Sequence, residues 1–476
     1  MHEQIENKVC FFLFFSIFNK LRTGLFGILA CLLGFSFPIS AQSCFMVSSL
    51  HSDSVTNSIC TADFNRDGYS DIAIGNLSSS SVSIFLGAAG GNFGAAMNFT
   101  SSGMDPRGIT SADFNGDSIP DIAVANFYTY DIAVMFGTGT GALGPATSYL
   151  IGGPGSGYWC RAITSADLNG DGKMDIAAAG DACVISVFLN TGGGNFGPAA
   201  HYLLAANTGP HDIIATDLNK DGIKDLATAD GGSNDVAVLL GTGSGTFGAA
   251  TYFPSGQNST GICSADLNED GNVDLITANP GSSDVSVLLG TGSGTYSTAV
   301  NYVIGTGNPS YVAVDDFNGD CYIDIAVTLN TIQGMAILEG DGTGNFGSPI
   351  FFAPVSPWQI CKADFDKDGK MDLAVSTGAN VGILMNCGSG ACGEAVNELT
   401  RKSFSVYPNP AIDKISLRWN ENTANTNLII QNAWGQTIQE RPFSGQVDIA
   451  DLAPGCYFLK INGAGKPGYQ AKFIKQ

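Results

Sequence analysis

The nine residues DLNGDGKMD at 167–175 decide the reading of this chain, because the same pattern returns six more times. The other copies are DFNRDGYSD from Asp63, DFNGDSIPD from Asp113, DLNKDGIKD from Asp217, DLNEDGNVD from Asp266, DFNGDCYID from Asp316 and DFDKDGKMD from Asp364. Successive copies start 50, 54, 50, 49, 50 and 48 residues apart. A near-constant period of this length marks a repeat architecture, in which each unit buries its apolar face against its neighbours.

Each copy sits in the same context. A short apolar approach precedes it, and a run such as IAIGN, IAVAN or LATAD follows. A second β-rich run comes next: VSIFLG from Val82, IAVMFG from Ile132, ISVFLN from Ile185, VAVLLG from Val236, VSVLLG from Val285, MAILEG from Met335 and VGILMN from Val381. A glycine turn and a Phe-Gly motif then open a further run in most copies. Short Val/Ile/Phe-rich stretches between Gly, Asn and Asp turns are strands. Four strands per unit of about 50 residues predict a propeller blade.

The Phe-Gly pairs at 93–94, 196–197, 247–248 and 346–347, with the Asp loops, resemble FG-GAP/VCBS repeats. Such repeats occur in integrin-type propellers and in many exported bacterial proteins. The resemblance covers residues 44–387 and implies an all-β, seven-bladed β-propeller. The seventh copy lacks its Phe-Gly strand, whereas an orphan segment, Cys44-Phe-Met-Val-Ser-Ser-Leu, precedes the first copy. That segment is expected to supply the outer strand of the seventh blade, which removes an open edge. Three pairings compete for a bridge at the closure: Cys44–Cys387, Cys44–Cys392 and Cys387–Cys392. A Cys160–Cys183 bridge is expected across the hairpin centred near Asp171. Cys60, Cys263 and Cys361, each three residues before a loop, read as core thiols.

Positions 1, 3, 5 and 9 of the loops carry oxygen donors. They are Asp63, Asn65, Asp67 and Asp71; Asp113, Asn115, Asp117 and Asp121; Asp167, Asn169, Asp171 and Asp175; Asp217, Asn219, Asp221 and Asp225; Asp266, Asn268, Asp270 and Asp274; Asp316, Asn318, Asp320 and Asp324; and Asp364, Asp366, Asp368 and Asp372. Oxygen-only ligation suits Ca2+, with a backbone carbonyl near position 7 and water completing the shell. The repeat resemblance implies the same cation, up to seven per chain. The alternative is a metal-free Asx-turn hairpin, which by itself does not account for the acid at position 9. Between residues 44 and 402 the chain has 36 acids and 11 bases, and 22 of those acids are loop aspartates. Seven Ca2+ would bring that net charge from −25 to −11. Ser118 and Cys321 replace the position-6 glycine, which marks their loops as the weakest sites.

Both ends of the chain read as addresses. Residues 9–18 and 24–37 are apolar, with Lys20 and Arg22 between them and small residues near Ala41. This pattern predicts a signal peptide over 1–41, the alternative being a membrane anchor. After a linker at 388–402, residues 403–476 lose the Asp loops and read as a small Ig-like β-sandwich. Tyr407-Pro-Asn-Pro-Ala411, Leu452-Ala-Pro-Gly-Cys-Tyr-Phe458 and Lys472-Phe-Ile-Lys475 resemble the C-terminal type-A sorting domain of the type IX secretion system of Bacteroidetes. That resemblance implies contact with the secretion machinery, passage across the outer membrane, and a secreted or surface-held product with no membrane span once the signal is removed.

The whole chain has 476 residues, 43 acids against 21 bases, and only 13% charged residues. This balance excludes a disordered chain and a coiled coil, and it disfavours nucleic acid as partner. No H-E-x-x-H, G-x-S-x-G or P-loop motif is present. The residue six before each loop varies where the scaffold repeats: Asn57, Arg107, Arg161, His211, Thr260, Ser310 and Trp358. These are expected at the mouth of the central channel, on the face away from the loops. Arg107, Arg161, His211 and Trp358, with Trp159 and Tyr311 nearby, suggest an anionic or sugar-like ligand. Two functions follow. One is a calcium-binding adhesion or carbohydrate-binding module whose ligand is a glycan or a surface protein. The other is a lyase-like polysaccharide-degrading enzyme, with His211 beside Arg161 as its candidate base.

Overall fold

The computed structural model describes residues 45–52, 55–151, 159–305, 307–330, 334–352, 357–378 and 380–387 of the repeat region. Beyond it the described residues are 405–407, 413–418, 426–432, 437–442, 446–452, 455–463 and 466–475. The signal segment, Cys44, Cys392 and the linker lie outside them. Contacts divide the chain into two units, one ending at Cys392 and the other beginning at Gly393.

The first unit holds seven four-stranded antiparallel sheets, one per repeat. In the second blade the strands run Pro106–Ala112, Asp121–Asn126, Asp131–Met135 and Thr147–Leu150 from the axis outward. Each Asp loop joins the inner strand to the second one. The second strands are buried at every position, because a blade packs on both of its faces. That double burial explains why IAIG and IAVA show no alternation of polar and apolar residues. The outer strands are mostly exposed instead, as at Leu150 and Leu203, with an inward tyrosine at Tyr149 and Tyr202.

The core is divided into seven layers, each shared by neighbouring blades. Val82 and Ile84 of the first blade meet Ile122, Val124 and Met135 of the second. The corresponding clusters join the second to the third blade and so on around the ring. The last one packs Ile59, Ile72 and Ile74 of the first blade against Ala374, Val381 and Ile383 of the seventh. The circle is therefore closed. Near the axis the inner strands converge closely enough to restrict side-chain size. A Cβ on Gly261 would come within 2.7 Å of the Ser310 carbonyl oxygen.

Closure uses the segment expected for it. Phe45–His51 pairs antiparallel with Asn380–Asn386, in register from Phe45 opposite Asn386 to His51 opposite Asn380. The Phe45 ring meets Phe352 of the sixth blade edge-on at 5.5 Å. Cys387, next to this strand pair, is disulfide-bonded, and so is Cys321. The rival pairings through Cys44 and Cys392 fall outside the described residues. The expected Cys160–Cys183 bridge is not formed, since both cysteines are free. The strand register is the reason. Cys160 stands opposite Gly180, and Cys183 lies beyond it in the following turn. There burial pushes the Cys183 thiol up, but the polar groups of Thr208, Gly209 and Asn207, on the approach to the fourth blade, outweigh it and hold the thiol below the usual range. Cys60, Cys263 and Cys361 are free thiols, and burial pushes Cys60 up to about 12.

The second unit is an all-β sandwich. Ser405–Tyr407, Lys414–Arg418 and Gln446–Asp448 form one sheet. Thr437–Pro442, Thr426–Asn432, Gly455–Gly463 and Lys466–Lys475 form the other. Ile415, Leu428, Ile430, Val447, Ile449, Leu452 and Leu459 are its buried apolar residues among those described. Among the described residues no helix is long and apolar enough to cross a membrane.

Closure yields a first prediction. Deleting the strand through His51 from the mature protein leaves Asn380–Asn386 as an unpaired edge. The expected result is a lower melting temperature together with self-association in size-exclusion chromatography. A monomer that melts unchanged would contradict the closure.

Candidate functional site

The seven Asp loops share one hydrogen-bond scheme. The position-1 carboxylate accepts the N–H of position 6 at 2.7–2.9 Å and that of position 5 at 3.1–3.2 Å. Position 3 also accepts the position-5 N–H, and position 5 accepts that of position 7. Residues at positions 4 and 6 take positive φ to permit this turn. Glycine fills position 6 in five loops, but Ser118 and Cys321 adopt φ of 65° and 76° despite their Cβ atoms. Cys321 is thus kept at an unfavourable backbone position where it is also disulfide-bonded.

Position 9 has a task of its own. One oxygen of Asp71, Asp121, Asp175, Asp225, Asp274, Asp324 and Asp372 accepts the N–H of position 2 at 2.8–2.9 Å. The other accepts an N–H at the end of the third strand, from Gly87, Gly137, Asn190, Gly241, Gly290, Gly340 or Asn386, at 2.7–2.9 Å. All seven are fully buried. The fourth acid therefore clamps two turns together, a role that needs no metal. The Phe-Gly aromatics complete the clamp from the neighbouring blade. Phe93 packs edge-on against Phe365 at 5.3 Å, and Phe196 against Phe114 at 5.7 Å, both partners being position-2 residues.

The donor set fits a hard divalent cation. Oxygens of positions 1, 3 and 5 converge on one turn, and most of them accept a single N–H there and so retain a lone pair; Oδ1 of Asp113, Asp167 and Asp316 accepts two. In the seventh loop, oxygens of Asp364, Asp366 and Asp372 lie within 4.8 Å of one another. Burial, and secondarily the neighbouring aspartates, push Asp71 and Asp372 up to about 6 and Asp324 to about 7. Burial likewise takes Asp121 to about 6.

On the opposite face, the seven variable residues meet. Asn57, Arg107, Arg161, His211, Thr260, Ser310 and Trp358 all line one cavity of about 340 Å3, joined by Leu77, Tyr311 and Asn330. The arginines are not free. Arg107 holds Asp105 through Nε and Nη2 at 3.0 and 2.9 Å, and Arg161 grips both oxygens of Asp181 with the same two nitrogens. The Arg107 guanidinium lies 3.6 Å from the centre of the Phe127 ring, and that of Arg161 lies 5.3 Å from it. Phe127 stacks at 5.9 Å on Trp159, which stacks in turn on Tyr130 and donates its Nε1–H to the Tyr130 hydroxyl at 3.0 Å. Burial and Arg161 hold His211 below its usual value, so it is neutral at pH 7. In the channel, Asp212 accepts the N–H groups of Ile262 and Ile213, and burial lifts it to about 7. Burial also raises Tyr311.

Spacing located the seven cavity residues but not Asp105, Asp181, Phe127, Tyr130 or Asp212. A usable signal existed for some of them. The turn between second and third strands lies on the same face as the start of the inner strand, so Phe127–Tyr130 had to border the rim.

Two predictions follow from the loops. Asp121→Asn should lower the melting temperature with or without calcium, because it weakens a buried clamp, by about 1–3 kcal/mol. Asp117→Ala should cost much less in chelator and show its main deficit in calcium; equal losses in both media would deny position 5 a metal role. The second prediction concerns pH. Position-9 carboxyls raised above the unfolded value of about 4 bind more protons in the native state. In chelator, stability should therefore fall as pH rises from about 4 to 7, and millimolar calcium should flatten that slope. Melting curves across this range decide the matter, and a metal-free protein that gains stability with pH would contradict it.

Comparison with known proteins agrees with this architecture. The FG-GAP-like repeat model matches residues 63–124, 113–178, 167–228, 217–277, 266–327 and 316–375, and the secretion system C-terminal sorting domain matches 405–476. A search of curated proteins finds no match. Among solved structures, BBS1N in complex with ARL6DN, from a crystal soaked with lead, is similar at 12% identity and TM-score 0.53. The match covers 74% of this chain and 100% of that one, and at such identity it shows the fold alone. A putative 6-phosphogluconolactonase from Bacteroides fragilis aligns at 19% identity over 64% of this chain and 85% of its own, with a TM-score of 0.48. The chain belongs to the FG-GAP-like repeat family as a seven-bladed propeller, and its C-terminal domain sends it through type IX secretion to the cell surface or the medium.

Proposed function

We propose that this exported propeller is a calcium-stabilised binding module whose rim cavity holds an extracellular ligand of the carbohydrate class. One observation carries the reading. The blades repeat throughout their cores and loops, yet the seven residues that differ most in chemistry converge on one cavity. A scaffold that repeats, with a concavity lined by its non-repeating residues, concentrates specificity there.

Calcium would be held by the side-chain oxygens at loop positions 1, 3 and 5, together with position 9 and the carbonyl at position 7. Its chemistry there is charge neutralisation among crowded carboxylates. The protein's own part is to pre-form the turns through the N–H donors already described. Of the 22 loop aspartates, Asp171 and Asp368 form ion pairs with Lys173 and Lys370, but the acids remain in excess, so the ion would act as a folding ligand.

The second reading, a lyase-like enzyme, rests on neutral His211 sharing the cavity with Arg161. Binding is favoured over it for two reasons. Asp181 already occupies the Arg161 fork that such a reaction would use on a substrate carboxylate. Tyr311, the phenol that shares the cavity, is raised by burial and so resists ionisation as a base.

A glycan array probed with the mature secreted protein in millimolar calcium, alongside a uronate-release assay, separates the two. The expected outcome is array binding without release of unsaturated uronate. The Arg107→Ala/Arg161→Ala double variant should lose at least about tenfold in affinity while remaining folded in calcium. Undiminished binding by that variant would remove the rim from the function.

A further inference from the structure

Resting on the carbohydrate reading of the rim, we infer that the ligand is an uncharged saccharide chain, whose end enters the cavity and whose next unit lies on the Trp159–Tyr130 aromatic platform. The sequence by itself left open an anionic ligand, since Arg107 and Arg161 stand together in an acid-rich chain. The structure cancels that charge locally. Asp105 and Asp181 neutralise the two guanidiniums, and the Asp105 and Asp181 side chains are only 12% and 23% exposed. An incoming carboxylate would have to displace a partly buried one and leave it unpaired, which is costly. Asp212, beneath the cavity, adds no attraction for an anion.

What remains suits a neutral polyol. Asp105 and Asp181 each use Nε and Nη2, so Nη1 of each arginine can still donate to a hydroxyl beside a carboxylate that can accept from one. A sugar hydroxyl both donates and accepts, so a paired Arg–Asp couple serves it better than a lone cation does. Thr260, Ser310, Asn57 and Asn330 supply further uncharged partners on the cavity wall. The apolar faces of sugar rings need aromatic surface, and the same face presents it. Trp358 is 45% exposed on one side of the rim, and Trp159 at 39% and Tyr128 at 57% are exposed on the other. Trp159 is fixed by stacking on Phe127 and Tyr130 and by its indole hydrogen bond, so little side-chain entropy is lost when a ring settles on it. At about 340 Å3 the cavity lies at the small end of ligand sites, roughly 300–1,000 Å3, which suits a chain end with the platform outside it.

The test is calorimetric titration of the mature secreted protein in millimolar calcium. Probes are cellohexaose, xylohexaose and mannohexaose against hexagalacturonate and hexamannuronate, each at low and high sodium chloride. The expected result is saturable binding of a neutral probe, with affinity changing less than about twofold between the salts. Trp358→Ala should weaken it about tenfold and Trp159→Ala about fivefold, with melting curves in calcium showing both variants folded. Tighter binding of an acidic probe, weakened by salt and by Arg161→Ala, would overturn the inference while leaving the rim as the binding site. Unchanged affinity in Trp159→Ala would overturn the platform. If neither neutral nor acidic probes bind, the carbohydrate reading itself fails, and this inference with it.

Discussion

The fold rests on a buried carboxylate that holds two turns at once. In every blade the aspartate at position 9 accepts one N–H from the start of its own loop and another from the end of the third strand. Without it, two backbone donors would be buried unpaired beneath the loop in each of seven blades. The clamp fixes where the second strand begins, which sets the register of the blade, and it fixes the loop from which the other aspartates project. Scaffold and candidate metal site are therefore one construction.

That construction concentrates negative charge on one face. Burial opposes ionisation of the clamping carboxylates, and the loop aspartates near them oppose it further. The backbone N–H groups offset this only in part, since position-9 groups such as Asp71 and Asp324 remain raised. A hard cation, if bound among the outer oxygens as proposed, would supply what hydrogen bonds cannot, a full counter-charge. The opposite face follows another logic. There the charges come in matched pairs, Arg107 with Asp105 and Arg161 with Asp181, laid on an aromatic ring. One end of the toroid gathers carboxylates around repeated turns, and the other sets paired charges beside ring faces and hydroxyls.

The two ends also differ in how they tolerate change. The loop end repeats because each of its residues has a backbone duty, and a substitution there disturbs a turn. Side chains at the rim stand at the start of inner strands and carry few backbone bonds. They are free to vary from blade to blade, from Asn57 through His211 to Trp358, without altering the sheet.

Much of this was legible in the residues alone. The period counted the blades, the Asp pattern located the loops, and the incomplete seventh repeat pointed to the segment from Cys44 to Leu50 as the closing strand, which the structure shows as Phe45–His51. Each is a local pattern whose geometry follows from strand alternation and turn chemistry. Spacing also brought seven residues to one cavity, because equivalent positions of a closed ring share a common axis. Lateral neighbours were decided by the tertiary structure. Arg161 finds Asp181 and Phe127, Cys183 turns toward residues 207–209 instead of Cys160, and position 9 reaches a donor 14–16 residues ahead. Those contacts depend on how far one sheet is rotated against the next, a quantity set by the packing of whole blades and not by any single stretch of chain.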